Sequence, residues 1–219
     1  MIEVELVRLT GAPVTYAEGL RLQREYHARR RDGIGPDTLI LLEHTPVITI
    51  GRGSRDESDL LTGREALGAR GIDLVETDRG GEMTYHGPGQ LVGYPILSLE
   101  ERGRDLHQYL RDIEQSVIDT LAHFGIAGGR IAGLTGVWVH SAKICAIGIK
   151  VSRWITMHGF ALNIDPDLTS FRQDIVPCGI SDRGVTSLAE LGVPATREEV
   201  EEAYIAAFSR VFDATVEER

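Results

Sequence analysis

Between residues 136 and 164 three β-rich stretches, Gly136–His140, Lys143–Val151 and Thr156–Ile164, follow one another with only two and four residues between them. Connections that short reverse a chain, whereas parallel neighbours need a crossover of a dozen residues or more. The region therefore reads as an antiparallel meander, and everything else in the chain has to pack on it. Leu106, Leu110, Ile113, Val117, Leu121 and Phe124 recur at steps of three and four, which predicts an amphipathic helix over 105–124. Thr15-Tyr-Ala-Glu18 and Thr196-Arg-Glu-Glu199 read as capping boxes that open two further helices. The first runs to Arg29–Arg31 and stops near Gly33, so that its cations sit at a helix C-terminus. The second carries Val200, Tyr204, Phe208 and Val211 on one face.

Residues 38–50 hold two apolar runs split by Glu43-His-Thr-Pro46, and a strand pair joined by a turn is expected there. Further strands are expected at the N-terminus, at 72–77 and at 90–97. The fold class that follows is α+β: a mixed, largely antiparallel sheet with packed helices. A single domain over residues 1–219 is expected, with a smaller sheet beside the main one.

Charge narrows the function. The net charge of −10 argues against nucleic-acid binding, which depends on neutralising phosphates. The dense basic cluster at Arg29–Arg31, with Arg21 and Arg24 upstream, is either a local positive patch or a solvated helix end. No apolar run approaches the roughly 20 residues needed to cross a bilayer. The opening MIEVELVRLTG lacks the basic start and apolar stretch of a secretory signal, so a cytoplasmic protein with no membrane partner is expected. No HxxxH or HExxH spacing occurs among the seven histidines, and no metal site is expected. His107 and His123 fall on the helix surface, whereas His44, His86 and His158 flank strand ends or glycines and are candidates to converge.

Three segments carry the chemistry. The first, Arg79-Gly-Gly-Glu-Met-Thr-Tyr-His-Gly-Pro-Gly-Gln90, is glycine-dense and mixes a fixed cation, a hydroxyl and an imidazole. It reads either as a ligand loop or as a tight connection between strands, and it has neither a Walker lysine nor GxGxxG spacing. The second is Ala142-Lys-Ile-Cys-Ala-Ile-Gly-Ile149. Strand alternation puts Lys143, Cys145, Ile147 and Ile149 on one face and Ile144, Ala146 and Gly148 on the other. Lys143 at its start is either a partly desolvated amine suited to proton transfer or a strand-end lysine reaching water. The third is Ile175-Val-Pro-Cys-Gly-Ile180, where Pro177 and Gly179 place Cys178 in a turn, within reach of a bulky substrate. Cys145 reads as a small apolar strand residue in the core. If one of the two thiols is a nucleophile, Cys178 is the better candidate.

Taken in order, LEHTPVITIG (42–51), RGGEMTYHGPGQLVGYPIL (79–97), AKICAIGIKV (142–151), HGFALNI (158–164) and PCGI (177–180) resemble the lipoyl(octanoyl) transferase family. The resemblance implies a fold like that of the biotin and lipoate protein ligases. It implies that Cys178 accepts the acyl group and that Lys143 is the catalytic lysine. It makes Arg79, Gly80, Gly81, Glu82, Met83, Thr84, Tyr85 and His86 a substrate-lining loop. Ala146, Ile147 and Gly148, with Gly159, Phe160 and Ala161, become two strand segments flanking the substrate. Glu82, Met83, Cys145 and Ile48 depart from the residues common in the family, and Met83 is the one placed to reshape an acyl pocket.

The implied reaction takes octanoyl from octanoyl-acyl carrier protein, through an acyl-cysteine thioester, to a lysine of the lipoyl domains of 2-oxoacid dehydrogenases and of the glycine cleavage H protein. A thioester is already activated, so no ATP or other cofactor is expected. Three rivals share features: an ATP-dependent lipoate or biotin ligase, an octanoyl amidotransferase acting between lipoyl proteins, and a non-catalytic acyl- or lipoyl-binding protein.

Overall fold

The computed structural model describes residues 2–54, 59–100, 102–176 and 184–218. Its centre is an eight-stranded sheet. In chain order the strands are β1 (Ile2–Arg8), β2 (Asp37–Leu42), β6 (Gln90–Ile96), β7 (Gly129–Ile131), β8 (Leu134–Val139), β9 (Ala142–Ser152), β10 (Ile155–Asn163) and β11 (Ala214–Glu218). They lie side by side as β11-β1-β2-β6-β10-β9-β8-β7. Pairing is antiparallel from β2 through β7, and β1 runs parallel to both of its neighbours. The predicted meander is β8-β9-β10. Its second turn is only Arg153–Trp154, both left-handed with φ of 51° and 58°, the geometry a two-residue hairpin turn requires.

Helices cover both faces, which explains why Leu39–Leu42 is apolar at every position. Leu39 and Leu41 enter the core beneath α3 (Leu106–His123) and α5 (Arg197–Phe212), while Ile40 and Leu42 enter the core on the side of α1 (Tyr16–Arg31). Strand periodicity of two thus feeds two cores from one run. All three helices carry N-terminal side-chain caps, though Thr15–Glu18 forms only half of the expected box. Thr15, Asp105 and Thr196 accept from Glu18, Gln108 and Glu199 amides, and Thr196–Glu199 is a full reciprocal box.

A second sheet of three strands, β4 (Asp73–Glu76), β3 (Val47–Ile50) and β5 (Met83–His86), lies beside the first. This corrects the reading of 38–50 as a strand pair. β2 pairs with β1 and β6, and β3 with β4 and β5, so Glu43–Pro46 carries the chain from one sheet to the other. Two short helices, α2 (Arg64–Ala69) and α4 (Thr169–Gln173), complete the fold. Leu67 and Phe171 from them join Ile48, Ile50, Met83 and Tyr85 in a separate core under the small sheet.

The arginines at the end of α1 pair with carboxylates of this same chain. Arg29 lies 3.7 Å from Glu5, Arg30 2.6 Å from Asp37 and Arg31 2.7 Å from Asp32. Arg30 and Asp37 tie the helix end to β2. None of the described helices is long and apolar enough to cross a membrane.

Candidate active site

The face of the large sheet that carries α1 has a trough in it. Ala146 pairs with Ala161, and Gly148 with Gly159. Four residues with one side-chain carbon or none therefore stand in a block where neighbouring positions carry Leu, Ile or Phe. The segment 79–82 and strand β5 roof this block, leaving a cavity of about 270 Å³. Close packing holds the roof in place. The Gly80 amide donates to Ile149 O at 2.8 Å, and a Cβ on Gly148 would stand 2.7 Å from Gly80 O.

Arg79 anchors the roof from inside. Its buried guanidinium donates to the Thr49 carbonyl at 2.7 Å, to the Thr49 hydroxyl at 2.8 and 3.1 Å, and to Gly80 O at 3.0 Å. Asp78, one residue earlier, bridges two strands of the large sheet: Lys150 Nζ at 2.5 Å on β9 and His158 Nε2 at 2.8 Å on β10. Burial works to raise the Asp78 carboxyl, but the hydrogen bonds from Lys150 and His158 win and hold it at about 2. His158 itself has φ of +58°, costly for a residue with a side chain. Gln23 on α1 secures it by accepting from the His158 amide at 2.8 Å.

Lys143 lines the cavity near its mouth, beside Leu134, Thr135 and Val185. It is buried, at 8% exposure. The sequence reading put Lys143 and Cys145 on one face of β9, and the structure corrects this. Val137 pairs with Cys145 but Trp138 pairs with Lys143, so β9 carries one extra residue at this point. Such a β-bulge breaks the alternation and re-aims a side chain. Ile144 and Cys145 both enter the main core, and Lys143 turns to the cavity. There its Nζ lies 4.7 Å from the centroid of the Trp138 ring. Its backbone is pinned by the descending chain, through Lys143 N to Gly184 O at 2.9 Å and Thr186 N to Lys143 O at 3.0 Å.

Away from Lys143 the cavity is lined by buried rings. Tyr16, Tyr94 and His86 line it, and His44 packs among them, 5.4 Å from Tyr16, 5.8 Å from His86 and 6.0 Å from Tyr94 between ring centroids. Burial pushes the His44 imidazole down to about 4 and His86 well below its ordinary value, with His44 and Arg79 adding to the effect on His86. Burial likewise lowers His158, against the pull of Asp78. The three imidazoles singled out in the sequence do converge, as neutral groups.

Of the other sequence candidates, Arg79, Gly81, Glu82, Met83, Thr84, His86, Ala146, Ile147, Gly148, Gly159, Phe160 and Ala161 line the cavity. Gly80 and Tyr85 do not. Gly80 supplies the backbone contact to β9, and Tyr85 points into the second core against Phe171, ring centroids 5.6 Å apart. The whole PCGI segment, and Cys178 with it, lies outside the described residues. Sequence reasoning missed Tyr16, Tyr94, Trp138 and Val185. Tyr94 stood in the quoted 79–97 block, but nothing in the pattern marked it off from a core tyrosine.

The family model for the lipoyl protein ligase A/B catalytic domain matches residues 15–209. The chain belongs to that family. An octanoyltransferase of Solibacter usitatus is 52% identical over 200 residues, covering 91% of this chain and 90% of its own. One from Rubrobacter xylanophilus is 51% identical over 210 residues, with 95% and 93% covered. Octanoyltransferases are acyltransferases, and at this similarity the chain is an acyltransferase too. Among solved structures, a putative lipoate protein ligase from T. acidophilum with bound lipoic acid superposes with a TM-score of 0.77 at 18% identity, covering 99% of this chain and 88% of that one. That likeness concerns the fold, and it agrees with the α+β sheet-and-helix architecture described above.

Proposed function

We propose that this chain transfers an octanoyl group from octanoyl-acyl carrier protein to a lysine of lipoyl domains, those of 2-oxoacid dehydrogenases and the glycine cleavage H protein, in the cytoplasm. The observation that carries the reading is the trough of Ala146, Gly148, Gly159 and Ala161 with the Lys143 amine near its mouth. A channel floored by such small side chains accepts an unbranched chain. At about 0.8 kcal/mol per buried CH₂, an octanoyl tail supplies about 5 kcal/mol of binding.

Cys178 is the proposed nucleophile. Lys143 takes the thiol proton, and the thiolate sulfur attacks the donor's thioester carbonyl. The donor's C–S bond breaks, its thiol leaves with a proton, and an octanoyl-Cys178 thioester remains. The amine of the target lysine then attacks that carbonyl, Lys143 accepts its proton, and the Cys178 thiolate leaves as the amide forms. Every bond formed replaces one of equal or higher energy, so no ATP is needed.

The test is a mixture of the protein, octanoyl-acyl carrier protein and an unmodified lipoyl domain, without nucleotide. Gain of one octanoyl group by the lipoyl domain supports the reading. Transfer from free octanoate only when ATP is added would make the chain a ligase instead.

A further inference from the structure

The cavity is closed by a wall that is polar and hydrogen-bonded, not by the aliphatic side chains an alkyl tail would otherwise meet. Tyr94 projects from β6 next to the Gly148–Gly159 row, since Phe160 pairs with Gly93. Tyr16 is the first residue of α1. Both rings line the cavity and are buried, at 4% and 3% exposure, whereas Gly133 and Thr135 on the Lys143 side and Gly53 and Gly81 at the roof are exposed. From Lys143 to Gly148 is five residues of strand, about 16 Å at roughly 3.3 Å per residue. Lys143 and the ring wall therefore stand well apart along the trough.

The polar atoms of His44, Tyr94 and Tyr16 in this wall are satisfied. His44 Nδ1 lies 3.1 Å from the Val14 carbonyl, so Nδ1 carries the proton and donates. His44 Nε2 is then an acceptor, and the Tyr94 hydroxyl donates to it at 2.6 Å. Tyr16 Oη is 3.0 Å from Thr77 Oγ1, and its ring stacks on His86 at 6.3 Å and 14°. A wall of Leu or Met could change rotamer to admit another methylene. This one cannot yield without leaving a buried imidazole nitrogen unpaired.

We propose that Tyr94 and Tyr16, locked by His44 and Thr77, form the blind end of the acyl channel and set the longest chain the enzyme transfers. The proposal rests on reading the cavity as the acyl site. It adds that selectivity against long chains resides in these two tyrosines, remote from Lys143. An ordinary apolar pocket separates substrates one methylene apart by only about 10–200-fold. The wall adds to this on the long side alone: shorter chains lose burial but meet no obstacle.

The experiment measures transfer from hexanoyl-, octanoyl-, decanoyl- and dodecanoyl-acyl carrier protein by the wild type, Tyr94→Leu, Tyr16→Leu and Tyr94→Phe. The wild type is expected to fall steeply beyond octanoyl. Either leucine variant should raise the decanoyl-to-octanoyl ratio about tenfold or more, with the hexanoyl-to-octanoyl ratio nearly unchanged. Tyr94→Phe keeps the ring, frees it from His44, and should give a smaller shift of the same sign. It also serves if a leucine variant fails to fold. Folded variants that transfer octanoyl with the wild-type chain-length profile overturn the proposal and leave the transferase reading standing. A wild type that transfers no chain at all overturns both.

Discussion

Lys143 Nζ sits 4.7 Å from the ring centroid of Trp138, its direct neighbour across the β8–β9 ladder at the bulge. An indole face attracts a cation with about 0.5–2 kcal/mol, more as water is excluded. Here it also fixes where a long, four-carbon side chain ends. Trp138→Leu removes the π-face but keeps an apolar residue. It is expected to lower kcat for acyl transfer about tenfold with a small change in KM, and Trp138→Phe should recover most of the loss. Lys143→Ala should lose about 10²–10⁴-fold, the usual range for a proton-transfer group. Steady-state kinetics on the three variants checks the order.

The roof over the channel depends on a glycine. A methyl group at Gly148 would stand 2.7 Å from Gly80 O and 3.2 Å from Arg79 Cδ, so backbone has to move. Gly148→Ala is expected to displace residues 79–81, raise KM for the acyl donor severalfold and cost about 1–3 kcal/mol of stability, as overpacking does. A denaturant titration beside the kinetics separates the two effects. A variant with wild-type KM would show that the roof is looser than its contacts imply.

Acid should unfold the protein in two stages. The His44 imidazole titrates near 6.5 in an unfolded chain and at about 4 when folded. Its contribution is therefore complete above pH 6.5 and drains away as the pH falls toward 4, because the unfolded state takes up a proton that the folded state refuses. The loss is roughly 3 kcal/mol at 1.36 kcal/mol per unit. His86 and His158, also lowered, deepen the same decline. Asp78, held at about 2 against 3.8, adds a second loss as the pH falls from about 4 through 2. That second stage is small, about 1 kcal/mol, because a third of the carboxylate side chain faces water and screens the pairs. Urea titrations from pH 7 to pH 3 should show the first stage flattened in His44→Gln. An unchanged slope in that variant would mean His44 is not the group responsible.

Much of this molecule was legible in its residues for identifiable reasons. The meander, α3 and α5 announce themselves through local periodicity and caps, and local signals survive whatever packs on them. The assignment of 38–50 to one strand pair failed because period and turn residues report that a chain bends, not which sheet it enters next. Strand β5 lay hidden in a glycine-dense block, where the glycines serve close backbone approach and the four residues Met83–His86 are too few to show alternation. At the site, both strand segments and all of the candidate loop except Gly80 and Tyr85 line one cavity. The direction of Lys143 was not, because a single inserted residue opposite Val137 and Trp138 reverses the parity that alternation assumes. Tyr16 and Tyr94 come from a helix start and a central strand far apart in sequence, and only the tertiary fold brings their rings together.

The central claim is that the acyl group passes through Cys178. Cys145 offers a built-in control, because it is fully buried on the far side of the bulge and burial pushes its thiol up, away from the nucleophilic thiolate. The direct measurement is the intact mass of the protein after mixing with octanoyl-acyl carrier protein in the absence of ATP, for wild type, Cys178→Ser and Cys145→Ser. The account predicts a single octanoyl adduct on wild type and on Cys145→Ser, none stable to hydroxylamine, none on Cys178→Ser, and discharge of the adduct by a lipoyl domain. An adduct that persists without Cys178, or full transfer activity in Cys178→Ser, would contradict it.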